Sequence, residues 1–340
     1  MFEGIDDLVE EGYLTRRKHP DLDLYILNYT ARTQYEGLWN DITTQCRGLV
    51  VNREGLVKSR CFRKFFNLEQ VAEDVDSRIR DNLPFRVYDK VDGSLGITYW
   101  TPDGPRIATR GSFTSEQAVR ATNILHEAYR GVHLDPDLTY LFEIVYPENR
   151  VCVDYGETED IFLLGAIHTE SGVEIEPEGL PFPCVESFDF GSELGFSDIK
   201  KMNLRNREGF VVRFDDGFRF KIKFEDYVKM HREIFSLSTK SIWEALSSGR
   251  RTSMERIPDG TRAWVEVVEH DLMCDYASVE CKAAEIFESL KHLPRREFAA
   301  AAEEYRFSSV LFRMLDGKPY SEVIWKMIQP EFRRPKHEEV

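Results

Sequence analysis

Long apolar runs are missing from this 340-residue chain, so no stretch of it is suited to cross a membrane as a helix. A basic excess is missing too. Against 45 lysines and arginines stand 60 acids, a formal charge of −15, so the protein is not coated in cation, and any polyanion must meet a local positive groove. The six cysteines (Cys46, Cys61, Cys152, Cys184, Cys274, Cys281) form no CxxC pair and read as reduced thiols rather than disulfides or zinc ligands. No GxxxxGK[ST] and no strand-linked GxGxxG occurs, which removes P-loop and dinucleotide readings. The eight histidines are dispersed, without metal-ligand spacing. Met1 to Glu11 is acidic and lacks a charged-then-apolar leader, so a cytoplasmic protein is expected.

What is present is enough apolar residue, 42%, for two ordinary cores. From about Leu24 to Tyr227, short β-branched and aromatic runs such as Gly48 to Val51 and Tyr140 to Val145 alternate with Gly, Pro, Asn and Asp. The clearest helix in that region is Ser115 to Tyr129, with Ala118, Ala121, Ile124, Leu125 and Ala128 on one face. After Tyr227 the pattern turns helical. Ser238 or Thr239 is placed to cap one helix, Arg262 to Leu290 is rich in Ala, Glu, Val and Leu, and Arg296 to Tyr305 and Tyr320 to Ile328 read as shorter helices. The expected fold class is α+β. A domain of antiparallel sheets with flanking helices should occupy residues 1–235, and an all-helical domain residues 236–340.

The most informative segment is Lys90-Val91-Asp92-Gly93-Ser94-Leu95-Gly96, a KxDGxxG run between two β-prone stretches, read as strand, tight turn, strand. A lysine fixed there, beside an acid and a close-packed glycine, is suited to act as a nucleophile toward a phosphate. Lys221 and Lys223 alternate with Phe220, Ile222 and Phe224, so both ammonium groups share one strand face. Aimed at phosphates, they would also depress Lys90's pKa by like charge. Bringing a lysine from about 10.4 to about 8 takes roughly 3 kcal/mol of such bias. Asp92, Glu143 and Glu208 form a carboxylate trio suited to hold a hydrated divalent cation against a triphosphate. Within the locally basic stretch from Cys46 to Lys64, Arg53, Lys58 and Arg60 read as a solvated hairpin face. Arg63-Lys64-Phe65-Phe66-Asn67 instead sets cations beside aromatics that can pack on a base.

The ordered set Arg47-Gly48, Lys64-Phe65-Phe66-Asn67, Lys90-Val91-Asp92-Gly93, Arg110-Gly111-Ser112, Phe142-Glu143, Glu208-Gly209 and Lys221-Ile222-Lys223 resembles the T4 RNA ligase 1 family of covalent nucleotidyltransferases. The likeness covers roughly residues 25 to 235. The Lys64 segment, the basic-Gly-Ser turn and Tyr146 to Arg150 point to RNA ligases rather than to DNA ligases or capping enzymes, and no oligonucleotide-binding barrel is evident after Lys223.

The resemblance implies a nucleotidyltransferase domain that uses ATP and magnesium, or manganese in its place, to join RNA 5′-phosphate and 3′-hydroxyl ends through lysyl-AMP and RNA-adenylate. It implies Lys90 as nucleophile, Glu208 as a catalytic residue near the metal, Glu143 near the AMP ribose or the metal, and Lys221 and Lys223 as catalytic contacts to the α-phosphate and the leaving pyrophosphate. The nucleotide pocket is then expected to include Tyr29, Arg47, Lys64, Phe66, Asp92, Gly93, Arg110, Glu143, Lys221 and Lys223, and the metal site Asp92, Glu143 and Glu208. A monomer without membrane attachment is expected. Arg110 departs from the family's usual lysine and presents a planar fork instead of a point charge. The readings that compete with this one are a DNA ligase or capping-type transferase, and a non-catalytic RNA-end-binding protein. The intact charge set argues against the latter.

Overall fold

The computed structural model describes residues 4–190, 195–252, 257 and 259–335. The chain divides into two compact units, one running to Lys229 and the other starting at Met230.

The first unit is built on fourteen short strands among its described residues. These are β1 (Leu14–Lys18), β2 (Leu24–Tyr29), β3 (Arg47–Asn52), β4 (Val57–Ser59), β5 (Phe66–Asn67), β6 (Phe85–Asp89) and β7 (Ser94–Thr101). They continue with β8 (Gly104–Thr109), β9 (Leu138–Val145), β10 (Asp160–His168), β11 (Glu174–Ile175), β12 (Ser187–Phe188), β13 (Gly209–Phe214) and β14 (Arg219–Lys223). Three sheets result, in the orders β1-β2-β3-β4, β11-β10-β9-β7-β8 and β12-β6-β13-β14-β5. All pairs are antiparallel except β14 with β5, whose parallel register sets Phe66 beside Phe220 and Asn67 beside Lys221.

Alternation along β2 buries the first sheet on both faces. Leu24 and Ile26 join Val50, Tyr99, Ala108 and Phe113, while Leu27 and Tyr29 join Leu14, Cys46, Leu49 and Val51. The helix expected from Ser115 is Glu116–Glu127. The Ser115 hydroxyl accepts from the Ala118 amide at 3.3 Å, and Ala118, Ala121, Ile124 and Leu125 are buried. Burial along β14 alternates as expected, with Phe220 and Ile222 inside and Lys221 and Lys223 partly open on the other face.

Two expectations need correction. The KxDGxxG run is no hairpin: β6 belongs to the third sheet and β7 to the second, so the segment crosses from one sheet to the other. Arg60 is no solvated cation either. Its guanidinium donates to the carbonyls of Thr169 and Glu170 and to Gln45, clamping the turn after β10.

The second unit is helical. Ser238 caps Thr239–Ser247, followed by the 32-residue helix Asp259–Leu290 and the shorter Arg295–Ala302, Ser308–Leu315 and Ser321–Met327. Ile242, Leu246, Val265 and Leu272 pack around Trp325, and Ala283, Phe298, Val310, Leu311 and Ile324 form a second cluster. No described helix is long and apolar enough to cross a membrane.

Candidate active site

Lys90 follows the last residue of β6, and its amide donates to the Gly209 carbonyl at 3.0 Å, which sets the lysine beside the start of β13. The register of β13 with β14 pairs Gly209 with Lys223. Glu208, one residue earlier and 2% exposed, therefore lies between two lysines. Its Oε2 is 2.8 Å from Lys90 Nζ, and its Oε1 is 2.7 Å from Lys223 Nζ. Gly209 permits this approach. Its φ is +145°, and a Cβ there would lie 1.9 Å from the Ile222 carbonyl oxygen.

This arrangement reverses the electrostatic expectation for Lys90. Burial alone would push its ammonium down, but Glu208 first, then Glu143 and Asp92, hold it above the usual lysine range. Burial opposes the Glu208 carboxylate, yet Lys90 and Lys223 keep it below its ordinary value. The depressed lysine is another one. Burial and the nearby charges of Lys223, Lys64, Lys90 and Arg47 push Lys221 down to about 6.

Asp92 turns away from the role expected of it. It is 4% exposed, and its Oδ2 accepts from the amides of Cys152 and Val153, each at 2.9 Å, while Oδ1 accepts from the Tyr227 hydroxyl at 2.7 Å. The Asp92 amide in turn donates to the Tyr155 hydroxyl. With both oxygens engaged by protein donors, Asp92 anchors the Lys90 segment to the 152–155 loop. Among the described residues, no three His, Cys, Asp or Glu side chains are arranged to hold a metal ion directly.

Glu208, whose two oxygens are engaged by Lys90 and Lys223, is satisfied in the same way, which leaves Glu143. Glu143 Oε1 accepts from the Gly93 amide at 3.1 Å, and a Cβ on Gly93 would lie 2.4 Å from the Ile144 carbonyl oxygen, so only glycine fits this crossing. Burial, helped by Glu208 and Asp92 against the pull of Lys90, pushes the Glu143 carboxyl up to about 7. A half-buried acid destabilised by its acidic neighbours suits an added cation, so Glu143 fits a divalent ion bound through its own water shell.

A second group of side chains, electrostatic neighbours of Lys223, is cationic and aromatic. Arg47 from β3 donates to Cys61 Sγ at 3.2 Å and lies over the Phe65 ring. Lys64 Nζ donates to the Phe65 carbonyl and lies 4.6 Å from the Phe66 ring centroid. Arg110, just past β8, donates to the Tyr29 hydroxyl at 3.3 Å and lies over the same ring. Lys221 is 5.8 Å from the Phe65 centroid. Burial, with Arg47, Arg110 and Lys223, pushes Lys64 down to about 8. Among the described residues, no carboxylate lies within salt-bridge distance of Arg47, Lys64, Arg110 or Lys221. All twelve residues singled out from the sequence, from Tyr29 to Lys223, thus lie in the first unit.

Three contributors escaped the sequence reading: Trp39, Tyr227 and the backbone amides of Cys152 and Val153. Tyr227 sits four residues after Lys223, near the start of helix Glu225–Ser236, and its ring underlies the Lys223 ammonium at 4.9 Å. Trp39 lies in a loop where no periodicity marks it.

The RNA ligase family model, of the T4 type 1, matches residues 45–228, just over half the chain. The chain belongs to the RNA ligase family. An RNA ligase of Rhodothermus phage RM378 is 21% identical across 92% of this chain and 89% of its own length. A protein of Autographa californica nuclear polyhedrosis virus, named as a candidate bifunctional polynucleotide kinase/RNA ligase, is 27% identical over 256 residues, 67% of this chain and 36% of the viral protein. The chain therefore spans only about a third of that relative. Among solved structures, the Naegleria gruberi RNA ligase with AMP and Mn superposes with a TM-score of 0.40 at 17% identity, over 51% of this chain and 58% of that one.

Proposed function

We propose that this member of the RNA ligase family is an ATP-dependent RNA ligase that joins 5′-phosphate and 3′-hydroxyl RNA ends, with Lys90 as its nucleophile. The observation that carries this reading is the asymmetry around Lys90. Its amine abuts Glu208 at 2.8 Å, and in the same cluster stand four cations without carboxylate partners among the described residues. Such a set is matched by a polyphosphate, whose oxygens supply the missing negative charge.

In the first step the Lys90 ammonium loses its proton to solvent and the free amine attacks the α-phosphorus of ATP. The N–P bond forms as the bond to the β-phosphate oxygen breaks, and pyrophosphate leaves. Arg47, Lys64, Arg110 and Lys221 hold the departing phosphates, while Lys223 offsets charge at the α-phosphate. An oxygen of the RNA 5′-phosphate then displaces Lys90 from the same phosphorus, and the released amine regains its proton. Finally the RNA 3′-hydroxyl attacks the adenylated 5′-phosphate, forming the phosphodiester and releasing AMP. A magnesium ion, or manganese in its place, held through its waters by Glu143 would supply positive charge at the reacting phosphate.

Residues 1–235 carry every group named here, and we assign the helical region 236–340 to RNA substrate choice. A 5′-phosphorylated RNA and a 3′-hydroxyl acceptor test the reading directly. The wild-type protein should join them with ATP. Lys90→Ala should not, yet should still seal a donor that already bears a 5′-adenylate, because that step needs positioned ends and not the amine. Unimpaired ATP-dependent joining by Lys90→Ala would refute it.

A further inference from the structure

Trp39 belongs to none of the motifs that mark the pocket, yet it touches three of the groups that line it. Its indole meets Tyr29 edge-on, with centroids 5.1 Å apart and planes at 85°, and meets Phe66 at 5.5 Å and 76°. The Lys64 ammonium lies 5.4 Å from the Trp39 centroid and 4.6 Å from that of Phe66. Tyr29 in turn accepts the hydrogen bond from Arg110. Two cations from different parts of the chain are thereby joined through one run of rings.

A ring face attracts an ammonium through its quadrupole without neutralising it, whereas a carboxylate would cancel the charge and compete with any incoming anion. Lys64 has three N–H donors, and the Phe65 carbonyl takes one at 3.1 Å. An ammonium held by rings thus keeps both its charge and donor capacity for phosphate oxygens.

We propose that Trp39 is a positioning residue for phosphate binding: with Phe66, which it meets edge-on, it holds the Lys64 ammonium against two adjoining rings, and through Tyr29 it holds Lys64 and Arg110 as one phosphate-binding pair. The proposal rests on the reading that this pocket takes the phosphates of ATP. Its bland competitor is that Trp39 only fills the apolar cluster of Leu14, Leu27, Leu49 and Val51, against which it also packs.

A double-mutant cycle on the full chain separates the two, with ATP affinity measured by calorimetry and lysyl-AMP formation at saturating ATP measured alongside. Trp39→Leu should weaken ATP binding about tenfold, the scale of one partly desolvated cation–ring contact. The rate at saturating ATP should hold within about twofold, and Trp39→Phe, which keeps a ring face, should recover most of the affinity. In a Lys64→Met background, Trp39→Leu should add almost nothing, since the ammonium it positions is gone. Equal losses in both backgrounds, or no advantage of Phe over Leu, would overturn the proposal. Should Trp39→Leu fail to fold, a tetrafluorinated tryptophan at position 39 keeps the shape and drains the ring face. Weaker ATP binding then supports the proposal, and unchanged binding overturns it. A wild-type protein with no ATP affinity would instead defeat the ATP reading itself, and the proposal with it.

Discussion

Two groups of lysines face one pocket and meet opposite fates. Lys90 and Lys223 share the Glu208 carboxylate at 2.8 and 2.7 Å, and Lys90 is held above the ordinary lysine range. Lys64 and Lys221 lean on rings, and burial among other cations brings them down to about 8 and about 6. The residue type is the same and the burial is similar, so the carboxylate makes the difference. One side is neutralised by the protein itself, which holds the Lys90 ammonium in its charged form. The other is left in want of an anion, which is how a site prepares to hold phosphates.

Removing the shared carboxylate should break the comparison most severely. Glu208→Gln strands two cations that keep only 20% and 25% of their side chains exposed. Loss of a partner from a fully buried pair costs roughly 3–5 kcal/mol, so about 2 kcal/mol is expected here from denaturant unfolding. Lysyl-AMP formation should drop at least about a hundredfold, the scale of losing one strong electrostatic contact in a water-poor site. A variant as stable and as fast as wild type would mean that Glu208 is not the hinge of this arrangement.

Lys221→Met should do the reverse to stability. A buried lysine without a carboxylate partner among the described residues, which can stay folded at neutral pH only by giving up most of its proton, is replaced by an apolar chain of similar length, so the protein should gain about 1 kcal/mol while losing pyrophosphate affinity. The sign has a pH signature. The folded pKa lies below the unfolded one, so the unfolded chain takes up the proton first as pH falls. Wild-type stability is therefore lowered progressively between about pH 10 and about pH 6 relative to Lys221→Met. Thermal unfolding curves that stay parallel across that window would contradict the depressed lysine.

Tyr227→Phe offers a smaller test of the quiet side. It deletes the hydroxyl that donates to Asp92 at 2.7 Å and leaves one oxygen of a buried carboxylate short of a donor. The expected loss is about 1–2 kcal/mol of stability, with slower adenylylation from a looser Lys90 segment. Full stability in urea unfolding would show that the two Asp92 bonds to the amides of Cys152 and Val153 suffice.

The subtlest effect is a proton. At pH 7 Lys221 is mostly neutral and Lys64 mostly charged. Phosphate oxygens favour the ammonium form of both, so pyrophosphate binding should draw protons from solution, and its affinity should fall as pH rises through about 8. Calorimetry in two buffers of different ionisation enthalpy reads this directly. Proton release on binding would have the wrong sign.

Much of this was legible in the sequence because the chemistry-bearing residues stand in short local patterns. Lys90 through Gly93, Glu208-Gly209 and the alternation at Lys221 and Lys223 each announce themselves within a few positions. The helix from Ser115 and the cap at Ser238 were equally local. What stayed hidden depends on pairs distant in the chain. Asp92 finds its donors about sixty and 135 residues downstream, so its conversion from expected metal ligand to anchor has no local signature. Lys90 and Glu208 are 118 residues apart, and the sign of the lysine's shift follows first from that contact and then from Glu143 and Asp92. Trp39 matters through ring geometry, which no spacing in a loop encodes. Sequence distance therefore hid the partners rather than the actors.

The most direct test of the central claim is to incubate the purified protein with ATP and magnesium, weigh it intact, and map the adduct by peptide mass. The account predicts a mass increase of one adenylyl group, located on Lys90, absent from Lys90→Ala and reversed by added pyrophosphate. An adenylyl group on another residue, or none on a protein that nonetheless joins RNA with ATP, would contradict it.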